Sequence, residues 1–255
     1  MVNPSVYQSP FAKPPPTCQK QAMTDYDYLA LAWFAVAWTA YAALTDGRFA
    51  VKRVSLTKAM NQHRKTWMRT AAHRDLRMID TAILAGLQNG TAFFASTTIF
   101  AIGGCFALLG ATEQVLEVAD ELPIPLVADR GAFEIKVFGL IAIFAYAFFK
   151  YGWSYRLFNY TSILFGAIPM KDELADDHTA LNAAADRAAI VNTLAGRHFN
   201  GGLRATFMSM GYLGWFAGPW MFLGTTTLVI LVLLRRQFFS AARSAVLEET
   251  IDRDI

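Results

Sequence analysis

Four long apolar stretches constrain this 255-residue chain more than any other feature, because each approaches or reaches the roughly 20 residues that a helix needs to cross a bilayer. With 55% hydrophobic residues, the chain has too little polar surface to coat a soluble globule. The sequence predicts an all-α, polytopic membrane helix bundle with four transmembrane helices. The stretches cover residues 28–44, 82–110, 133–151 and 206–234.

The third stretch continues as a hydrophobic segment well beyond one membrane thickness, to Met170. One tilted helix across all of it would bring Lys150 and Arg156 towards the bilayer centre, where each costs about 2.5–3.5 kcal/mol. We therefore expect the third span to end between Lys150 and Trp153. Residues 157–168 would then lie at the interface or against other helices.

Charge in the loops predicts the orientation. The connection 45–81 carries nine Lys or Arg against three acids, whereas 111–131 carries five acids against one Arg. Because basic loops stay inside, 45–81 and 152–205 are predicted to be cytoplasmic in a multi-pass protein of a cell inner membrane. Four spans place both termini outside, although three arginines after the last span favour the other side for the C-terminus: Arg235, Arg236 and Arg243.

The membrane domain is expected to cover residues 23–237, with a C-terminal tail at 238–255. Residues 1–22 contain three consecutive prolines and read as a disordered tail, with Met23 as a candidate start. Between the spans, the apolar spacing over 55–80 predicts an amphipathic cytoplasmic helix on the membrane surface. A second, Ala-rich cytoplasmic helix is expected to stop at Gly201 and Gly202.

No motif announces a reaction. The histidines lie ten residues apart at 63 and 73, and twenty apart at 178 and 198, so neither pair has the spacing that chelates a metal from one helix face. Phosphate-binding glycine loops and nucleophile-elbow serines are also missing from the sequence. We predict no metal, no cofactor and no nucleic-acid partner. A protein without enzymatic activity is favoured over an enzyme.

Small and polar residues form a stripe on the second span. Gly86 and Gly90 permit close helix approach, and Asn89 and Ser96 share a face next to Thr97. Hydrogen bonds from these groups would fix packing partners. Alternatively, they would line a polar path together with Asn159, although no ionisable group accompanies them at depth. Packing is the favoured interpretation.

The fourth stretch contains a predicted break. Gly214, Gly218 and Pro219 lie in its first half, and Pro219 removes an amide donor from the helix. A kink that fits the neighbouring helices is favoured over a functional hinge.

Four ordered segments resemble the membrane protein family called domain of unknown function 599 (DUF599). They are "NQHRKTWM", "ILAGLQNGTAFFASTTI", "YGWSYRLFNYTSIL" and "FNGGLRATFMSMGYLGWFAGP", and the resemblance covers residues 45–235. It implies a four-span fold of the kind found in bacteria and plants, and no established activity. Members usually carry Arg-Asn where this chain has Gln88 and Asn89.

Three arginines lie on the predicted cytoplasmic side, near three different span ends: Arg64, Arg156 and Arg204. Because guanidinium groups match phosphate oxygens in bidentate geometry, they could converge on one lipid or metabolite anion, with His198 as a further partner. Ordinary positive-inside placement is the simpler explanation.

Three functions follow from these features. The favoured one is a helix-packing homo-oligomer or an accessory subunit of a larger membrane complex. The lipid bilayer is a partner in either case. A small-solute transporter or channel is the first alternative. A binder of, or enzyme acting on, lipids or anions at the cytoplasmic face is the second.

Overall fold

A computed structural model describes residues 23–45, 53–120, 129–170 and 178–251, and within these ranges it contains helices and no strand. The predicted tail 1–22 lies outside the described residues. The helices are α1 (Asp25–Thr45), α2 (Leu56–Ala72), α3 (Met78–Gly110), α4 (Thr112–Asp120), α5 (Arg130–Gly166), α6 (His178–Leu213), α7 (Pro219–Phe238) and α8 (Ala241–Ile251); a 3₁₀ turn, Gly214–Ala217, joins α6 to α7.

Four helical segments are long and apolar enough to cross a membrane, which confirms the predicted number. They comprise α1, α3, α5 and a segment beginning at Pro219, so the all-α membrane bundle is confirmed as well. The third span is predicted to end between Lys150 and Trp153, and the helix that contains it, α5, continues without interruption to Gly166.

Helices α1 and α7 run parallel along their whole length. The rings of Tyr26 and Trp220 lie 5.6 Å apart, and Trp33 Nε1 donates a hydrogen bond to Thr227 Oγ1 at 3.2 Å. Both helices therefore finish at the same end of the bundle. We call this the basic end, and we call the end where α1 begins the opposite end.

The last part of α6, residues 204–213, runs back between these two ends. Arg204 Nη1 donates to Thr45 Oγ1 at the basic end (2.7 Å), and the Tyr212 ring lies 5.6 Å from that of Phe34, towards the opposite end. The predicted helix stop at Gly201 and Gly202 is wrong, because α6 passes straight through both glycines.

The break between α6 and α7 lies at the predicted position. Gly218 has φ of 117°, a backbone conformation that favours glycine, and Pro219 opens α7, where its missing amide costs no helical hydrogen bond. The predicted stretch 206–234 is thus two antiparallel helical segments. This reversal is what makes α7 parallel to α1.

Helices α5 and α6 interlock through two reciprocal contacts. The Tyr212 side chain of α6 fills the space where a Cβ would stand at Gly139 of α5, and the Tyr151 ring of α5 does the same at Gly202 of α6. Glycine permits this approach because it has no Cβ.

Beyond the basic end, α2 packs against α6 and contacts the end of α5. Met68 of α2 is fully buried in an apolar cluster with Phe165 of α5 and Leu181 of α6. Arg69 donates two hydrogen bonds to Asp186, at 2.7 Å each, and these bonds hold the pKa of the Asp186 carboxyl below its usual value.

Candidate anion-binding site

A cavity of about 810 Å³ opens at the basic end, between the ends of α1 and α7, the start of α2 and the middle of α6. The start of α8 closes it on one side. Arg243 Nε of α8 donates to Val54 O, and Gln237 of α7 donates to Thr57 Oγ1 of α2 (2.7 and 2.8 Å). Five elements distant in sequence therefore build one pocket, which we call the basic pocket.

The charge of the basic pocket has one sign. None of its described lining residues is acidic, and, Arg204 set aside, none of its cations lies within ion-pair distance of a carboxylate in the described ranges. The five basic residues lining it are Arg53, Lys58, Arg197, Arg204 and Arg236.

Neutral aromatic rings orient three of the guanidinium groups. Arg204 lies 5.8 Å from the ring centre of Tyr41, and Arg236 lies 5.9 Å from that of Phe207. Arg53 lies 4.5 Å from the ring of Phe239. A ring holds a guanidinium in place without cancelling its charge, so the positive potential of Arg53 and Arg236 remains available to a ligand.

The N-terminus of α2 lies at the same pocket. Ser55, Leu56 and Thr57 all line the cavity, and Ser55 Oγ accepts only the amide of Lys58 (3.3 Å) among the first-turn donors. The first amides of a helix carry partial positive charge and bind anions. This 17-residue helix therefore adds to the field of the five cations.

Sequence analysis had grouped Arg204 with Arg64 and Arg156, but the basic pocket includes only Arg204. Arg64 is largely buried, and its Nη1 donates to the main-chain and side-chain oxygens of Asn192 (2.9 and 3.2 Å). Burial lowers the pKa of Arg64. Arg156 donates from Nε to the hydroxyl of Tyr160 on its own helix (2.6 Å), so it makes a local contact.

His198 also lies outside the lining of the basic pocket. Its ring lies 6.4 Å from that of Trp153, and its Nδ1 is buried with no partner among the described residues. It neighbours Arg197 in sequence, but only Arg197 of the two lines the cavity.

The predicted polar stripe of α3 faces away from α5. Asn89, Ser96 and Thr97 are exposed, and a Cβ at Gly86 or Gly90 would meet no atom within 4 Å. The stripe that packs inside the chain consists of residues seven apart on the other face: Leu84, Thr91, Thr98 and Cys105.

Asn159 does join two helices. Its Oδ1 accepts a hydrogen bond from Gln88 Nε2 (2.9 Å), which also donates to Ser162 Oγ (2.9 Å). Gln88, the neighbour of the predicted Asn89, is thus the polar residue of α3 that contacts α5. At the α6–α7 break, Gly214 allows the Thr225 side chain of α7 to approach.

A buried charge cluster at the opposite end was missed by sequence reasoning. It consists of Asp27, Lys136 and Trp215, which are 7%, 5% and 2% exposed. Trp215 Nε1 donates to Asp27 Oδ1 (2.6 Å), and Lys136 Nζ donates to Trp215 O (2.9 Å). Thr24, just before α1, adds two bonds to Asp27 Oδ2. The cluster ties the α6–α7 break to the starts of α1 and α5.

Sequence signals for these sites were weak but present. Arg197 and Arg204 are seven apart and therefore share one face of α6. The other cations of the pocket belong to distant segments and had been assigned to the positive-inside bias alone. Among the described residues, no group of three or more His, Cys, Asp or Glu side chains could hold a metal ion.

Together, these features define an α-helical bundle of the membrane-protein class, with four helices long and apolar enough to cross a bilayer and a basic pocket at one end. The family model described as "Protein of unknown function, DUF599" matches residues 29–242, so the chain belongs to the DUF599 family. No curated protein and no solved structure matches the chain.

Proposed function

We propose that the protein binds a phosphate-bearing anion in the basic pocket, at the cytoplasmic face of a cell inner membrane. The observation that carries this proposal is the set of five cations around 810 Å³ without a described acid among them. Like charges that line one cavity repel one another, and a bound anion relieves that repulsion. Arginine forks bind two phosphate oxygens at once, which favours phosphate over a simple halide.

The loop charges support this orientation. The basic connection 45–81 adjoins the pocket, and the parallel course of α1 and α7 brings Arg235 and Arg236 to the same end. The arginines after the last span then agree with the positive-inside rule instead of opposing it.

Phosphate-bearing anions should raise the thermal unfolding temperature of the purified protein, because a ligand of the folded state stabilises it. Each Arg→Gln substitution at Arg204 or Arg236 should weaken binding about 10- to 100-fold, since a charge-assisted hydrogen bond contributes about 1.5–3 kcal/mol. The assay compares inorganic pyrophosphate with short-chain phosphatidic acid. Arg156→Gln, outside the pocket, is the control. If neither probe stabilises the wild type, the proposal is wrong.

The exposed face of α3 supports a second proposal, that two copies of the chain associate through it. This helix packs mainly on α5, and its opposite face presents Gly86, Gly90 and Asn89 with no chain covering them. Small residues let helices approach closely, and an asparagine can bond across such a contact. Association with a different subunit of a membrane complex would use the same face.

Native mass spectrometry in mild detergent tests this association. Gly86→Leu should shift a dimer towards the monomer, because the new side chain stands where the second helix would pack. Gly152→Leu is a matched control, since Gly152 of α5 is also exposed with open space around it. A monomeric wild type, or an equal response of both variants, would rule out the α3 contact.

The transporter alternative receives less support. It requires Asn89, Ser96, Thr97 and Asn159 to line one path, but the first three face outward from the chain and Asn159 bonds Gln88. The basic pocket includes none of the four.

A further inference from the structure

We infer that the ligand of the basic pocket is a phospholipid with more than one negative charge, an inference that rests on the proposed anion binding. Besides Arg204, four cations line one cavity, and a single monoanionic group would leave most of their charge uncompensated. A phosphate monoester or a pair of phosphates matches it better. The apolar part of the cavity indicates that the phosphate is attached to acyl chains.

Three helices place an apolar residue one turn deeper than a polar one inside the pocket. On α7, Leu233 precedes Arg236, and on α1, Tyr41 precedes Thr45. Helix α6 runs antiparallel to α1 and α7, so its deeper residues follow its polar ones in sequence. All of these side chains line the same cavity, and a turn of three or four residues is about 5 Å.

The same layering continues on α6, where Phe207 lies one turn deeper than Arg204. The cavity therefore carries its polar and charged groups towards the basic end, beside the apolar Leu56 and Phe238, and an apolar layer towards the bundle centre. A free phosphate would use only the first layer. A phospholipid would use both, with its phosphate among the arginines and its chains against the leucines and aromatic rings.

Phe207 and Arg236 mark the boundary between the layers. The Arg236 guanidinium lies over the Phe207 ring, which is 38% exposed. One turn deeper on α6, Met210 is 55% exposed and extends the apolar surface out of the pocket. An acyl chain leaving the cavity can follow this surface into the bilayer. Basic pockets beside membrane-spanning helices are a recognised setting for anionic headgroups.

The experiment measures lipid retention by native mass spectrometry after reconstitution in phosphatidylcholine nanodiscs. About one lipid in twenty in each nanodisc is anionic. That lipid is phosphatidic acid in one preparation, cardiolipin in the second and phosphatidylglycerol in the third. Wild-type protein should retain phosphatidic acid or cardiolipin at least tenfold over phosphatidylglycerol. The double variant R204Q/R236Q should lose this preference, and R156Q should keep it.

Soluble competitors separate the two proposals. Glycerol 3-phosphate, the headgroup without chains, should displace the retained lipid at least tenfold less effectively than short-chain phosphatidic acid, and Phe207→Ala should reduce that difference. Equal competition, or pyrophosphate binding without lipid retention, would overturn the lipid assignment and leave anion binding intact. No Arg204-dependent binding of any probe would overturn both.

Discussion

Replacing Lys136 with methionine is expected to lower the free energy of unfolding by about 3–5 kcal/mol, because the change leaves the Asp27 carboxylate buried without its cation. Lys136 Nζ lies on Trp215 O at 2.9 Å, and Trp215 Nε1 bonds Asp27 at 2.6 Å. Lys136 therefore attracts the Asp27 carboxylate across Trp215 without a direct ion pair, and it also satisfies the last turn before the α6–α7 break. Methionine retains much of the volume but supplies neither a charge nor a donor.

Unfolding in mixed micelles with increasing sodium dodecyl sulfate, followed by tryptophan fluorescence, measures this effect. The double variant D27N/K136M removes both charges and should be more stable than K136M alone, because no unpaired charge remains buried. K65M is the control, since the Lys65 side chain is 55% exposed. A loss of less than about 1 kcal/mol in K136M, comparable to an exposed ion pair, would contradict the role of the cluster.

The apolar stretches predicted the membrane helices well because length and composition alone decide whether a helix can cross hydrocarbon. The position of the last break was also predictable, since Gly218 and Pro219 impose it through backbone geometry. The reversal of chain direction at this break was not predictable. Residues 206–213 continue α6 and reverse at the 3₁₀ turn, and hydropathy does not distinguish one kinked span from two antiparallel segments.

The inward face of α3 could not be chosen from the sequence. Asn89 and Ser96 are seven apart, and so are Thr91 and Thr98, so both stripes have the same periodicity. Polarity suggested the first stripe, whereas packing against α5 buries the second. In lipid, small and polar residues can serve either an internal helix pair or a contact with another chain.

The candidate site was only partly predictable for a related reason. Arg204 was selected, but its companions in the pocket come from the segment before α2 and from α2, α6 and α7, and no local spacing links them. The buried charge cluster was hidden too, because Asp27 and Lys136 lie near helix starts, where exposed charges are common. Only the tertiary fold brings each group together, and it also separates Arg64 and Arg156 from Arg204.

Adding one methyl group at Gly202 should destabilise the protein by about 1–3 kcal/mol, although alanine is normally the better helix former. A Cβ at Gly202 would collide with the ring of Tyr151, which is fully buried. That ring cannot move aside. It is stacked on Phe94 at 5.5 Å, and its hydroxyl is hydrogen-bonded to Thr206 at 3.0 Å.

Gly152→Ala provides the matched comparison, because a Cβ there meets no atom within 4 Å. That variant should change stability little or raise it by up to about 1 kcal/mol, as expected for glycine replaced in an unstrained helix. Both variants can be measured by the same detergent titration. Equal stability of the two would mean that α5 and α6 can separate by the width of a methyl group. A large loss in Gly202→Ala alone would explain why the predicted helix stop at Gly201 and Gly202 failed: Gly202 serves the close contact with Tyr151 inside a continuous helix.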